Sequence, residues 1–555
     1  MALGEVLLKR GKITEAQLAS ARATCKRPSD RIEKALIEMG FATERDVLEI
    51  IGEQLSIPVI DLSNHTIAPD LLTIIPSKVV HRYRLFPVAR ENGHLRVATA
   101  NAFDLYAFDE LRMLTGMKVE PVLATEADIQ RVIKQHYGVG GQTIEAMVGD
   151  DLEVVSATSE DDKDLIEMAQ EATVVKLVNE ILLEAIRDRA SDVHIEPYEN
   201  DLRIRYRIDG VLHTTTVPPQ IRRFQAAIVS RIKILSNLNI AEHRLPQDGG
   251  FKIRAHNKEI DLRVSIIPTA FGSAVVMRIL DKSSALLSLH DLGMADEALA
   301  GFEKLINQPY GIILVTGPTG SGKTTTLYSA LNSVKSDKVK VLTVEDPIEY
   351  HLDGINQVQI NPKIGLTFAS GLRSFLRHDP DVILVGEIRD LETAEVAINA
   401  SLTGHLVFST LHTNDAATAN TRLLDMGVEP FLVSSAIGGV LAQRLIRKIC
   451  PDCCEEFKPD ASKLPPDFNY QSGDKLCRGV GCRECRHSGY RGRFGIFELL
   501  SMNDELRELV VHRASIGKVM EAACRNGLKR MREDGWAKVR RGETTVEEVA
   551  RVTKT

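Results

Sequence analysis

Hydrophobic and polar positions alternate with several different periods along the chain, and each period predicts a different kind of element. Near the N-terminus, Leu7-Leu8-x-x-Gly11 recurs 29 positions later as Leu36-Ile37-x-x-Gly40, and each copy leads into a Thr-Glu pair and another amphipathic segment. Glycine ends a helix readily because it adopts the left-handed conformation that a Cβ resists, and threonine caps the next helix well. The repeat therefore predicts two helix–turn–helix units within residues 1–60.

Two further regions follow this repeat. Between residues 61 and 138, short apolar runs such as Val119 to Val122 alternate with helical stretches such as Glu126 to His136. This mixture predicts a small α/β domain. Residues 139–165 are rich in glycine, serine and acidic side chains and show no sustained period, so we interpret them as a linker.

Residues 166–284 begin with a helical pattern and continue with a hairpin pattern. Apolar side chains recur at helical spacing from Val174 to Ile186. Between residues 202 and 208, apolar residues alternate strictly with arginines, and Asp209-Gly210 then reverses the chain. The pattern predicts an α+β domain in which one sheet face carries a row of guanidinium groups, from Arg203, Arg205 and Arg207.

The composition is that of a folded, soluble protein with several domains. Hydrophobic residues make up 44% of the chain and charged residues 26%, and 555 residues exceed what one core usually serves. No apolar run approaches the roughly 18 residues of a membrane span, and the N-terminus lacks a signal-like apolar run, so we expect a cytoplasmic protein. The net charge of −7 and the aromatic content of 5% argue against nucleic-acid binding.

From Gly311 onward, strands and helices alternate as they do in a parallel α/β sheet. A buried strand runs into a glycine-rich loop, where backbone N–H groups can surround phosphate oxygens and the following helix adds its positive dipole end. Lys323 is expected to reach the β and γ phosphates of ATP, and Thr324 to ligate Mg²⁺. The predicted nucleotide-binding residues are Gly317, Pro318, Thr319, Gly320, Ser321, Gly322, Lys323, Thr324 and Thr325.

Three other strands end in side chains suited to hydrolysis. The run Val382 to Val385 leads into Glu387, which is expected to contact Mg²⁺ through water, and a second strand leads into an acidic run that contains Glu349. His412 ends a third strand, and we expect it to sense the γ phosphate. The carboxyl ends of parallel strands converge on one crevice, so the sequence predicts that these side chains meet.

In this order, the stretches resemble the secretion ATPases of type II secretion and type IV pilus assembly, over at least residues 191–499. The Walker A, aspartate, Walker B and histidine boxes of that family are legible at residues 317–324, 343–350, 382–390 and 403–414. The resemblance implies a RecA-like P-loop ATPase domain at 285–555, preceded by a PAS-like α+β domain at 166–284.

The same resemblance implies roles for single residues. Glu349 corresponds to the water-activating carboxylate, Glu387 to the Walker B acid and His412 to the γ-phosphate sensor, with Lys323 assisting. The family also uses arginines that act on nucleotide across a subunit boundary, and the candidates here are Arg205, Arg207 and Arg222.

The resemblance further implies a homo-hexameric ring that reaches the inner membrane through a platform and its cytoplasmic adaptor protein. The wording of the stretches near Ser401 and Arg422 favours a type II secretion motor over a pilus extension motor, which is the alternative. A nucleic-acid translocase is the alternative from a different class, because DNA motors share this fold.

Two cysteine pairs, Cys450-x-x-Cys453 and Cys482-x-x-Cys485, lie 28 residues apart within residues 448–490. Thiolates at this spacing can close a tetrahedral Zn²⁺ site, and the segment between the pairs has little core of its own. Cys454 leaves the register of the first pair open, and free thiols are the alternative reading.

The N-terminal repeat resembles the cyclic-di-GMP-binding domain of some of these ATPases, whose motif opens Arg-Leu-Gly and closes with glutamine. Here the first copy runs from Ala2-Leu3-Gly4 to Cys25, and the second from Arg31-Ile32-Glu33 to Gln54. Both copies depart from the motif where a ligand would be held. We therefore favour a helical bundle that docks to the adaptor protein, with cyclic-di-GMP binding as the alternative.

Overall fold

The computed structural model describes residues 3–24, 32–62, 71–137, 172–281 and 287–553, apart from 73, 76, 92, 256–257, 461, 463, 472–473 and 475. The chain divides into two compact units, Met1–Asp281 and Lys282–Thr555. The predicted linker at 139–165 lies outside the described residues, as do Cys25 and Arg31 of the N-terminal repeat.

The first unit opens with two pairs of helices, α1 (Leu3–Lys9), α2 (Glu15–Thr24), α3 (Ile32–Glu38) and α4 (Glu44–Leu55). Gly11 and Gly40 follow the first helix of each pair with φ values of 67° and 70°, which confirms the helix-ending role predicted for them. The Thr43 side chain accepts from the backbone of Asp46 and so caps α4.

A three-stranded sheet follows the helices and has its own buried core. The strands β1 and β2 pair antiparallel, whereas β2 and β3 pair parallel. A parallel pair needs a crossover connection, and α6 supplies it. This confirms the predicted small α/β arrangement, with α5 (Ser77–Tyr83), β1 (Phe86–Glu91), β2 (His94–Thr99), α6 (Leu105–Thr115), β3 (Lys118–Leu123) and α7 (Glu126–Tyr137).

The first unit ends in a six-stranded antiparallel sheet of order β6-β5-β4-β9-β8-β7, which shares a core with two helices. The predicted hairpin turn has the left-handed conformation at both central residues, Asp209 and Gly210, with φ values of 48° and 83°. The elements are α8 (Ala172–Arg187), β4 (Asp192–Pro197), β5 (Leu202–Ile208), β6 (Val211–Thr215), α9 (Gln225–Leu235), β7 (Gln247–Ala255), β8 (Lys258–Thr269) and β9 (Gly272–Asp281).

The second unit is built on a seven-stranded sheet of order β12-β11-β13-β14-β10-β15-β18. All neighbours are parallel except β15 and β18, which are antiparallel. The strands are β10 (Gly311–Thr316), β11 (Val341–Glu345), β12 (Asn356–Gln359), β13 (Val382–Val385), β14 (Leu406–Leu411), β15 (Ile437–Ile449) and β18 (Tyr490–Ser501).

Both faces of this sheet are covered, as a mostly parallel sheet requires. Ile312 and Leu314 of β10 join one hydrophobic cluster, whereas Ile313 and Val315 join another. The helices of this unit are α10 (Asp296–Ile306), α11 (Lys323–Val334), α12 (Phe368–Phe375), α13 (Leu391–Leu402), α14 (Ala416–Asp425), α15 (Pro430–Ala436), α16 (Asp504–Val511), α17 (Ile516–Arg525), α18 (Met531–Arg540) and α19 (Val546–Val552).

A small cysteine-bearing segment is inserted between the paired strands β15 and β18. It contains a two-stranded sheet of β16 (Cys454–Phe457) and β17 (Leu476–Gly479). Among the helices of the described residues, none combines the length and the apolar character that a membrane crossing demands.

Candidate active site

The four predicted motifs of the second unit follow four neighbouring strands. Their register aligns the carboxyl ends, because Thr316 of β10 pairs with Leu411 of β14, and Val385 of β13 pairs with Ser409 of β14 and with Val344 of β11. The glycine loop, His412, Glu387 and Glu349 all follow these aligned strand ends. The strand order therefore gathers the predicted catalytic residues along one edge of one sheet.

The glycine loop takes backbone conformations that side chains would resist. Gly317, Gly320 and Gly322 have φ values of 146°, 77° and 93°. A Cβ on Gly317 would lie 2.4 Å from the carbonyl oxygen of Gln443 and 2.6 Å from Ser321 Oγ. The loop is therefore packed closely against β15, with its N–H groups available at the start of α11.

Lys323 begins helix α11 and turns back to the loop. Its Nζ donates to the carbonyl oxygens of Gly317 at 2.8 Å and Pro318 at 3.1 Å. Burial lowers the pKa of Lys323, and the nearby Glu387 carboxylate opposes that fall. The ammonium group of Lys323 thus lies against the loop and interacts electrostatically with Glu387, the predicted Walker B acid.

Glu387 follows β13, and its two carboxylate oxygens lie near the side chains of Arg389 and His412. Its Oε1 lies 2.6 Å from Nη2 of Arg389, and its Oε2 lies 3.4 Å from Nε2 of His412. The Glu387 side chain is 13% exposed and that of His412 is 52% exposed, so the carboxylate is the sheltered partner. The structure brings together Lys323, Glu387 and His412 as the sequence predicts.

Glu349 lies in a half-buried loop that follows β11. Two glutamines of the edge strand β12 hold this loop: Gln359 accepts from the backbone N–H of Ile348 at 3.4 Å, and Gln357 donates to the carbonyl of Tyr350 at 3.2 Å. The backbone on either side of Glu349 is therefore tied to the sheet.

Sequence reasoning missed the residues that lock these strand ends to each other. Thr316 donates to the carbonyl of Leu411 at 3.0 Å and accepts from the N–H of Thr413 at 2.9 Å, which fixes both sides of His412. Thr410 donates to the carbonyl of Gly386 at 2.7 Å, beside Glu387. The sequence signal for these contacts is a threonine at the carboxyl end of β10, Thr316, and one next to the carboxyl end of β14, Thr410.

Gln443 is a second missed residue. It is 1% exposed on β15, and its Nε2 donates to the carbonyl of Ser321 at 2.8 Å. The Gln443 amide therefore supports the phosphate loop from the neighbouring strand. No local pattern predicts this contact, because the two residues lie 122 positions apart.

The three candidate arginines lie in the first unit, and each has a partner within that unit. Arg205 Nη2 lies 2.7 Å from the Glu196 carboxylate, which raises the pKa of Arg205 by hydrogen bonding. Arg207 Nε lies 3.5 Å from Asp192. Carboxylates of β4 thus pair with Arg205 and Arg207 of the predicted guanidinium row on β5, while Arg222 donates to the neutral amide oxygen of Gln225.

The four predicted zinc ligands come together in the inserted segment. The sulfur atoms of Cys450, Cys453, Cys482 and Cys485 all lie within 4.8 Å of one another. Three of the Sγ···Sγ distances, those of the pairs 450/482, 453/485 and 482/485, are 3.7 Å. A tetrahedral zinc with bonds of about 2.3 Å requires sulfur separations of about 3.8 Å.

Backbone donors complete this quartet. The N–H groups of Cys482 and Gly489 point at Cys485 Sγ at 3.1 and 3.3 Å. Burial raises the pKa of Cys485, but these backbone donors and the hydrogen bonds from the Cys482 and Cys453 thiols outweigh it and lower the pKa to about 7. Four cysteine sulfur atoms at tetrahedral separations are a donor set that fits zinc. Cys454 lies outside the quartet, which resolves the open register of the first pair.

Comparisons with known proteins agree on one family. Residues 167–551 match the family described as type II/IV secretion system protein, and residues 55–143 match the MshEN domain. The type IV pilus assembly ATPase PilB of Myxococcus xanthus is 45% identical over 559 residues, which cover 99% of this chain and 98% of that protein.

A relative from the other branch is equally similar. Type II secretion system protein E of Xanthomonas campestris is 44% identical over 568 residues, which cover 99% of this chain and 98% of that protein. Among solved structures, the pilus retraction motor PilT with bound ADP is 27% identical, with a TM-score of 0.47, over 68% of this chain and 96% of that chain.

Proposed function

Because the chain belongs to the type II/IV secretion system protein family and is therefore a P-loop ATPase, we propose that it drives pseudopilus assembly and protein export by a type II secretion system. The observation that carries the chemistry is the alignment of four strand ends, which gathers Lys323, Glu387, His412 and the Glu349 loop. Such a convergence of a phosphate loop with two acids suits hydrolysis as well as binding.

In the proposed reaction, Glu349 accepts a proton from the attacking water as the water oxygen bonds to the γ-phosphorus of ATP. The bond from that phosphorus to the β–γ bridging oxygen breaks, which yields ADP and phosphate. Lys323 and the loop N–H groups stabilise charge on the phosphate oxygens, and His412 contacts the γ-phosphate. The Thr316 and Thr410 hydrogen bonds keep these groups in register during the reaction.

A magnesium ion fits the donor set of this site. The hydroxyl of Thr324 and the carboxylate of Glu387 are hard oxygen ligands, and Glu387 is sheltered next to Lys323. When bound, Mg²⁺ neutralises charge that develops on the β and γ phosphates. We assign Thr324 as its direct ligand and Glu387 as a ligand through water.

The cysteine quartet is proposed to hold one structural Zn²⁺. Four thiolates would complete a tetrahedral coordination sphere, so the metal would have no open position for substrate. Its task is to fold the segment between β15 and β18, whose described residues contribute few members to the hydrophobic cores.

The working assembly is proposed to be a homo-hexamer in the cytoplasm, attached to the inner-membrane platform through its adaptor protein. The family resemblance supports the ring, and the arginine-bearing domain at 166–284 supplies the residues proposed to act on a neighbour's nucleotide. The N-terminal helices α1 to α4 are the proposed docking element.

Replacement of the proposed base tests the chemistry. Glu349→Gln keeps the shape of the side chain but cannot take a proton, so kcat should fall by about 10² to 10⁴-fold while the ATP affinity stays within about twofold. Glu392→Gln is the matched control, since Glu392 pairs with Arg373 on the surface of the same unit. Full turnover in Glu349→Gln would move the base assignment to Glu387.

A type IV pilus extension motor is the second candidate, favoured by the full-length similarity to PilB of Myxococcus xanthus. Deletion of the gene in its native host separates the two functions. Loss of exported proteins from the medium with surface pili intact supports the secretion motor, whereas loss of pili with export intact supports the pilus motor. ATPase activity stimulated by DNA would instead support a translocase.

A further inference from the structure

A buried carboxylate that the proposed reaction does not use lies beside the helix that follows the phosphate loop. Glu345 ends β11 and is 4% exposed. Its Oε1 accepts from Thr343 Oγ1 at 2.5 Å and from Gln357 Nε2 at 3.1 Å, and its Oε2 accepts from the hydroxyl of Tyr328. Burial of a carboxylate costs free energy unless hydrogen-bond donors surround it. The three donors therefore hold the Glu345 carboxylate in place, and the carboxylate in turn holds the three donor side chains.

Tyr328 connects this carboxylate to helix α11. It is fully buried and lies one helical turn after Thr324. Burial raises the pKa of Tyr328, the Glu345 carboxylate adds to the rise, and a hydrogen bond from the backbone of Glu349 opposes it. The Tyr328 ring also meets the ring of Tyr350 edge-on, with centroids 4.6 Å apart. Tyr328 therefore touches the loop of the proposed base at two successive residues.

Gln357 holds the same loop from the other side. Its Nε2 reaches the carbonyl of Tyr350 at 3.2 Å, while its Oε1 accepts from the N–H of Leu352 at 2.8 Å. Because that same amide also donates to Glu345, the carboxylate is the point where the contacts from α11 and from β12 meet.

We propose that Glu345 and Tyr328 are positioning residues that hold the Glu349 loop against helix α11. The inference rests on the proposed function, because both residues act through Glu349. Helix α11 also carries Lys323 and Thr324, so one rigid element places both the phosphate contacts and the base. A catalytic group displaced by about 1 Å can cost about a hundredfold in rate, which makes such an anchor consequential.

Removal of the tyrosine hydroxyl tests the proposal. In the full chain, Tyr328→Phe should lower kcat by about ten- to a hundredfold and leave KM for ATP within about twofold. Tyr490→Phe is the matched control, since it removes a hydroxyl 2.7 Å from Thr545 Oγ1 in the same unit. The control should lose a similar amount of thermal stability and keep its kcat.

A second variant guards against a folding defect. Thr343→Val removes another donor to Glu345 while keeping the shape of the side chain, and the same split between kcat and KM is expected. Wild-type kcat in both Tyr328→Phe and Thr343→Val would overturn the proposal, as would a fall in kcat that Tyr490→Phe shares.

Combined variants show whether the effect passes through the base. In a Glu349→Gln background, Tyr328→Phe should not reduce the residual rate further, because the group that it positions is already gone. A fully additive loss would contradict the proposal. If Glu349→Gln itself keeps full turnover, the assignment of Glu349 as the base fails and moves to Glu387; if that variant is inactive while Tyr328→Phe is normal, the positioning inference alone fails.

Discussion

At the scale of single residues, the phosphate loop depends on a side chain from a distant strand. The Gln443 amide donates to the carbonyl of Ser321, and the Gln443 carbonyl leaves no room for a Cβ on Gly317. We expect Gln443→Met, which has similar volume but no donor, to weaken ATP binding about fivefold. That factor corresponds to the roughly 1 kcal/mol of one hydrogen bond. Equilibrium titration with a fluorescent ATP analogue measures the change.

The exposed Gln471 of the same unit provides the comparison, and Gln471→Met should bind ATP as the wild type does. Equal affinities for the Gln443→Met and wild-type proteins would show that the loop keeps its shape without this amide. A fall in melting temperature without a change in affinity would assign Gln443 to general stability.

Residue spacing predicted the groups proposed to contact ATP, but it did not predict the side chains that hold those groups in place. Glycine, lysine and threonine of the loop are recognisable because their chemistry depends on neighbours in sequence. The contacts of Gln443 and Tyr328 depend instead on which strands and helices become neighbours in space. The strand order of the sheet places β10 next to β15, and no local sequence pattern predicts that order.

At the scale of elements, alternation predicted the hairpin of β5 and β6 but not its charge balance. The arginines of β5 pair in register with β4, where Arg207 faces Asp192 and Arg205 faces His194. Asp192 and Glu196 thereby form ion pairs with Arg207 and Arg205, two members of the row that the sequence predicted. Cross-strand partners follow from the register of two strands, which a single-strand pattern cannot supply.

The inserted cysteine segment is the element with the clearest test of its own. The flanking strands β15 and β18 pair with each other, from Gly439 with Ser501 to Ile449 with Tyr490. The sheet can therefore stay folded when the inserted segment does not. We expect Cys482→Ser to lose zinc, to lose amide-exchange protection in residues 450–457 and 476–489, and to change the melting temperature of the second unit little. Metal analysis and hydrogen exchange of the full chain measure these outcomes.

Cys524→Ser is the control for that experiment, because Cys524 lies on α17 outside the quartet. It should keep one zinc ion per chain. Structural zinc modules gain on the order of 10 kcal/mol from their metal, so partial zinc loss with full exchange protection would argue that the segment folds by other means.

At the scale of the whole molecule, the proposed ring requires that two units from different subunits complete one site. The phosphate loop belongs to the second unit and the candidate arginines to the first. Arg205 and Arg207 already pair with carboxylates, whereas Arg222 donates to a neutral amide. A guanidinium that leaves a neutral partner to bind a phosphate loses less interaction energy than one that leaves a carboxylate. Arg222 is therefore the first of the three arginines to test.

Mixed rings provide that test. Rings made only of Lys323→Ala subunits or only of Arg222→Ala subunits should be inactive. When the two variants are co-expressed and the mixed rings are purified through two different tags, ATPase activity should return. In a head-to-tail ring with random order, about a quarter of the boundaries join an intact loop to an intact arginine, which sets the upper limit for independent sites. Lys323→Ala mixed with the double variant Lys323→Ala/Arg222→Ala supplies the baseline, since no intact loop is present. Activity no higher than this baseline would mean that Arg222 acts on the nucleotide of its own subunit. The same mixing experiment with Arg205→Ala and with Arg207→Ala would then identify the arginine that acts across the subunit boundary.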